Sequence, residues 1–173
     1  SIVTPSYNQE EFIERTINSV ISQKWDFEIE YIIMDWFSTD KSVDIIKKYE
    51  SDLKSWKIKI QCNNIDFIRK SEKDSGQSNA INKWLKISTW DICTFLNSDD
   101  TLEPWALQII VDNLWKSDKM WSYGKCKIVD KQGKEIRKPI TLYKNILWRK
   151  IKKIYESSSK KHSYICRGNE RWK

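Results

Sequence analysis

The sequence predicts an α/β fold in which a mostly parallel central sheet carries helices on both faces. Three observations lead there. Apolar runs at residues 1–4, 29–34 and 91–96 alternate with segments whose apolar residues recur at helical spacing. The run at 29–34 is apolar nearly throughout, as a strand buried on both faces should be. Each run also ends in a polar cluster, and right-handed crossovers between parallel strands bring such clusters to one edge of the sheet.

The elements follow in order. Ser1 to Thr4 is a strand halted by Pro5, beginning so abruptly that its start is expected to precede residue 1. Asn8 and Glu11 form a capping-box pattern before a helix carrying Phe12, Ile13, Ile17, Val20 and Ile21. A strand over Ile29 to Met34 ends at Asp35, and Ser38, Thr39 and Asp40 offer caps to a helix with Val43, Ile45, Ile46 and Tyr49. Charged residues interrupt 51–70, where Ile58 to Ile60 and Phe67 to Arg69 suggest two short strands. Gly76 to Ser88 reads as a helix with Gln77 and Asn82 open to a ligand. A strand over Asp91 to Leu96 leads into Asn97-Ser98-Asp99-Asp100, and Pro104 suits the first turn of a helix with Leu107, Ile110 and Leu114. Asp130 to Lys134 reads as a hairpin turn, and 144–161 as a basic amphipathic helix.

A chain of 173 residues can bury one sizeable core. The expected division is a binding domain over 1–143 and a basic helical segment over 144–173. No apolar run reaches the length of a membrane span, and four cysteines without C-x-x-C spacing point to a reduced, cytoplasmic setting rather than to zinc or disulfides. The net charge of +7 suits an anionic ligand or an anionic surface, and peripheral membrane contact through 144–161 is one expectation. Nucleic acid is not expected, because no motif for it accompanies the charge.

Ligands of open parallel sheets bind beyond the carboxyl ends of the strands, where this sequence places Pro5 to Asn8, Asp35 to Asp40 and Asn97 to Asp100. Neither G-x-G-x-x-G nor G-x-x-x-x-G-K-[ST] occurs, so phosphates must be held otherwise. Strand-end carboxylates can hold Mg²⁺ or Mn²⁺, which bridge to substrate phosphates.

Thr4-Pro5-Ser6-Tyr7-Asn8, Asp35 with Ser38-Thr39-Asp40, Asp74 with Gly76-Gln77-Ser78 and Ala80-Ile81-Asn82, and Leu96-Asn97-Ser98-Asp99-Asp100 together resemble the successive motifs of family 2 glycosyltransferases. The resemblance spans roughly residues 1–130 and implies a GT-A, Rossmann-like nucleotide-binding domain. It implies that Pro5, Tyr7, Asp35 and Asp74 contact base and ribose, with Asp40, Gln77 and Asn97 also in the substrate site. Asp99, with Asp100, would be the metal ligand. The implied donor is a nucleoside diphosphate sugar, UDP-linked, and the acceptor a saccharide or lipid of the cell envelope. Asn97 stands where many relatives carry an aspartate, and a neutral amide is the poorer ligand for a divalent ion.

The carboxylate that would serve as catalytic base is not found, and the expected chain is one that ends before the acceptor half. A donor-binding fragment without catalysis is the alternative, and a basic nucleic-acid-binding protein a more distant one. Composition adds a further oddity, with 4 glycines and 10 tryptophans. Soluble proteins carry about 7% glycine. The resemblance sets glycine at Trp36, Trp84, Trp90 and Trp105. Two accounts remain open: a codon that the source organism reads as glycine, or true tryptophans in a diverged chain.

Overall fold

The computed structural model of the chain describes residues 1–71, 81–82, 84, 88–89, 91–115 and 125–157. It divides into two compact units, the second of which is Trp121–Tyr164.

The first unit is built on an all-parallel sheet of four strands, ordered β3-β2-β1-β4. They are β1 (Ile2–Ser6), β2 (Lys24–Asp35), β3 (Gln61–Ser71) and β4 (Thr94–Phe95), with helices α1 (Ile13–Ile21), α2 (Ser42–Lys54) and α3 (Ala106–Trp115) between and after them. Alternation along the strands sorts the core into two faces. Ile2, Ile29, Tyr31, Ile33 and Phe67 pack with Ile13, Ile17 and Val20 of α1, Ile46 of α2 and Leu107 of α3. Val3, Ile32 and Met34 pack on the opposite face with Trp84, whose backbone is helical. The predicted class is therefore observed, with helical residues against both faces.

Pro5 does not halt β1, which continues to Ser6 in register with Asp35. The hydrogen bonds explain why. Ser1 and Val3 accept from Thr94 and Leu96 on the β4 side, while Ser6 accepts from Trp36 on the β2 side. Position 5 thus faces β4 beyond its last paired residue, where the missing proline N–H leaves no gap in the ladder.

Other boundaries differ too. Asn8 does not cap α1, whose N-cap is Phe12 and has no side-chain cap bond; Asn8 turns instead toward the loop after β2. The two short strands expected within 51–70 are one, β3, and 58–60 lies outside it. β3 forms the edge beside β2 and keeps most of its residues at least partly exposed, so polar residues are tolerated along it. β4 is two residues long rather than six. Pro104 precedes α3 in a turn instead of opening the helix. The helix expected over 76–88 falls mainly outside the described residues, although 81, 82 and 84 are helical.

In the second unit, Val129 and Glu135 form an antiparallel bridge across a turn closed by Asp130 N–H to Lys134 carbonyl (3.0 Å). Gly133 occupies that turn at φ 83°, a left-handed value natural for glycine. Helix α4 (Lys138–Ser157) starts earlier than expected and is tied to the preceding segment by Thr141 and Asn145, which bond the backbone of Ile128 and Cys126. Among the described residues no helix is long and apolar enough to cross a membrane. Cys62 and Cys126 are free thiols.

Candidate active site

The strand order runs from β1 outward through β2 to β3, then returns to place β4 on the other side of β1. That reversal opens a crevice at the carboxyl edge between β1 and β4, the position where open parallel sheets take ligands. Its walls are the loops after β1, β2 and β4.

The first two loops are joined by reciprocal hydrogen bonds. Asn8 N–H donates to Ser38 Oγ (2.8 Å), and Thr39 N–H donates to Asn8 Oδ1 (2.9 Å). Gln9 N–H donates to Ser42 Oγ (2.8 Å), Glu10 N–H to Asp40 Oδ2 (2.9 Å), and Lys41 N–H to Glu10 Oε2 (2.9 Å). Asn8 adopts φ 50°, a left-handed value at which asparagine is found more often than most residues.

Asp35 is almost fully buried and accepts from both the backbone (2.9 Å) and the hydroxyl (2.5 Å) of Ser38. In this geometry it shapes the loop after β2. Asp40 lies at the start of α2, where its Oδ1 accepts from Ser42 N–H (2.9 Å) while Oδ2 reaches Glu10. Partial burial pushes its carboxyl up, but the hydrogen bonds from Ser42 and Glu10 outweigh this and hold it below its ordinary value. Tyr7 and Trp36 stand exposed at the crevice with ring centroids 4.9 Å apart. Pro5 and Ser6 end β1 beside them, and the buried Ser6 hydroxyl has no partner among the described residues.

The third loop carries Asn97, Asp99 and Asp100. Both aspartates are exposed, and Asn97 Nδ2 donates to Asp100 Oδ2 at 3.0 Å. Asp74 and Gln77 lie outside the described residues. The structure therefore groups Pro5, Tyr7, Asp35 and Asp40 around two joined loops, with Asn97, Asp99 and Asp100 on the loop after the neighbouring strand.

Sequence reasoning missed what fixes that third loop. Thr16 Oγ1 lies 2.8 Å from the carbonyls of both Ser98 and Asp100. Ser19 Oγ accepts from Leu102 N–H (3.1 Å). Gln23 donates to the Glu103 carbonyl (3.0 Å) and accepts from Leu107 N–H (3.2 Å). Thr16 and Ser19 stand three residues apart on α1, and Gln23 follows just beyond its C-cap, so the three together form a polar rail for residues 98–107. The signal was available, since Thr16 sits inside the apolar stripe of Ile13, Ile17 and Val20.

Among the described residues no group of three His, Cys, Asp or Glu side chains could enclose a metal ion. Mg²⁺-type ions require fewer: one or two carboxylates suffice when substrate phosphates and water complete the shell. Two adjacent exposed carboxylates, Asp99 and Asp100, fit that requirement.

A parallel sheet with polar loops at its topological switch point defines an α/β fold of the kind that takes ligands at the carboxyl edge. The family model described as Glycosyl transferase family 2 matches residues 1–168, and the chain belongs to that family. An uncharacterized glycosyltransferase of Nostoc sp. (strain PCC 7120) is 32% identical over 138 residues, covering 79% of this chain and 39% of that protein. The poly(ribitol-phosphate) beta-glucosyltransferase of Bacillus spizizenii is 33% identical over 110 residues, covering 62% of this chain and 16% of that protein. The chain thus spans well under half the length of these relatives. Among solved structures it is similar to S. aureus TarS 1-349, with a TM-score of 0.49 and 24% identity over 65% of this chain and 32% of that one.

Proposed function

We propose that this chain supplies the donor-binding half of a metal-assisted glycosyltransferase. The enzyme moves a sugar from a nucleoside diphosphate sugar, UDP-linked, to a saccharide or lipid acceptor. The observation that carries this reading is the meeting of three polar loops at one sheet edge in a chain of this family. Tyr7 offers an exposed ring to the base beside Pro5. Asp35 and Asp40 hold the loop that lines the ribose, with Asp74 and Gln77 contributing from the segment after β3. Asn97 faces the donor from the loop after β4.

A divalent cation, when bound, neutralises the diphosphate leaving group. Asp99 with Asp100 would hold it, and Asn97 orients Asp100 through its amide. The Bacillus spizizenii relative is by name a transferase of poly(ribitol-phosphate), which supports a cell-envelope polymer as the acceptor class.

Titration of a UDP-sugar into the full chain, with and without Mn²⁺, tests the reading. Binding should require Mn²⁺ and be lost in Asp99→Ala. A folded sample that binds no nucleotide under either condition overturns the donor site, and Mn²⁺-dependent binding that survives in Asp99→Ala overturns the metal assignment. UDP release in the presence of acceptor separates transfer from donor binding without turnover.

A further inference from the structure

Seven of the ten tryptophans, all but those at 90, 121 and 172, lie among the described residues. Three of these seven, Trp25, Trp56 and Trp105, have positive φ, at 137°, 57° and 67°. Only a few per cent of non-glycine residues do so, and for bulky ones it is a true outlier. The sign alone does not separate them, since Asn8, Phe37 and Arg137 share it. What separates them is that Trp56 and Trp105 occupy the glycine slots of recognisable backbone motifs and Trp25 stands at an irregularity within a strand.

Trp56 follows the C-cap Ser55 of α2. Its N–H bonds the Leu53 carbonyl (3.1 Å), and the Lys57 N–H bonds the Asp52 carbonyl (3.0 Å). That pair of bonds is the Schellman motif, whose left-handed C′ residue is usually glycine. Trp105 sits two residues into a turn closed by Ala106 N–H to Glu103 carbonyl (3.1 Å). With Pro104 before it and φ positive, the turn is type II, which calls for glycine at this position. Trp25 stands where the β2–β3 register shifts between Trp25 and Glu28, and glycine within a strand commonly marks such an irregularity.

The side chains offer little in return. Trp56 is 81% exposed, and Trp25 and Trp105 are 54% and 45% exposed. The last two make one edge-on ring contact at 6.1 Å, and Lys24 Nζ lies 5.8 Å over the Trp105 ring; at exposed sites these two contacts together fall short of what two left-handed bulky residues cost. Trp84 adds an independent sign. It is buried with its indole Nε1 unpartnered among the described residues, a donor that glycine would not bring.

We infer that positions 25, 56 and 105 are glycine in the protein its organism makes, encoded by UGA codons that the organism's own tRNA decodes as glycine. The shortage of glycine and the surplus of tryptophan in the composition then have one cause. The inference stands on backbone geometry and does not depend on the donor-site reading.

Two measurements independent of folding test it: the codons at 25, 56 and 105, and peptide masses of the protein from cells that carry the gene. UGA at all three, with peptides lighter by the difference between tryptophan and glycine, is expected. UGG at these positions, or peptides containing tryptophan, overturns the inference. The produced chain gives a third readout. Trp25→Gly, Trp56→Gly and Trp105→Gly should each raise the thermal midpoint by about 2 to 4 °C, and by more than the matching alanine variants. Glycine variants no more stable than alanine variants would show that these sites do not require glycine and would count against the assignment.

Discussion

Asn8 accepts the backbone N–H of Thr39 through its side-chain oxygen at 2.9 Å, although 31 residues separate them. This bond and the reciprocal one from Asn8 N–H to Ser38 make the loops after β1 and β2 a single wall of the crevice. Asn8→Gly keeps the backbone freedom that φ 50° requires and deletes only the amide. The expected result is a loss of about 1 kcal/mol in stability and a several-fold weaker donor affinity, read by denaturant unfolding and nucleotide titration. Unchanged donor affinity would detach these loops from the site.

Thr16→Val removes the hydroxyl that serves the carbonyls of Ser98 and Asp100 while keeping the shape of the side chain. Leaving these acceptors without their donor should cost about 1 to 3 kcal/mol, and Thr16→Ser should recover most of it. Mn²⁺-dependent nucleotide binding should fall in the valine variant and return in the serine variant. A stability loss without any change in metal dependence would confine Thr16 to a packing role.

Asn97→Asp places a second charged oxygen ligand beside Asp99 and removes the amide donor to Asp100. A hard divalent cation prefers the carboxylate, so Mn²⁺ should bind the variant more tightly in the presence of nucleotide. Calorimetry of Mn²⁺ with UDP present would show this, and weaker binding would argue that the ion lies elsewhere.

Asp40 gives the joined loops a pH limit. Its carboxyl is held below the ordinary value of 3.8 in the folded chain, so its hydrogen bonds stabilise the native state above that pH. The contribution is lost as pH falls through the depressed folded value. Amide signals of Glu10 and Ser42 should shift together in that acid range, and Asp40→Asn should abolish the shared transition. Independent titration of the two amides would contradict a common cause.

The α/β class was legible because β2 is apolar where it is buried and α1 keeps a helical stripe. The convergence of Asp35, Asp40 and Asp99 at one edge was legible for the same reason, since parallel strands fix which ends share a side. Asn8 was misplaced because a polar residue three positions before Glu11 looks like a cap, and only tertiary structure reveals Thr39 as its partner. β3 was split because an edge strand with exposed polar residues carries little alternation. Pro5 misled because its tolerance depends on where β4 stops pairing, a property of a strand some ninety residues away.

The rail of Thr16, Ser19 and Gln23 has a consequence for motion. Its hydrogen bonds are buried or partly buried, whereas most of those joining the other two loops are exposed. Exposed bonds open locally at lower free energy than buried ones. The loop after β4 is therefore the anvil, and under the proposed function closure over a donor would fall to residues 7–10 and 36–42. Hydrogen exchange should find the amides of Leu102 and Leu107 slow and those of Asn8, Glu10, Thr39 and Lys41 fast, with only the fast group slowing when nucleotide binds.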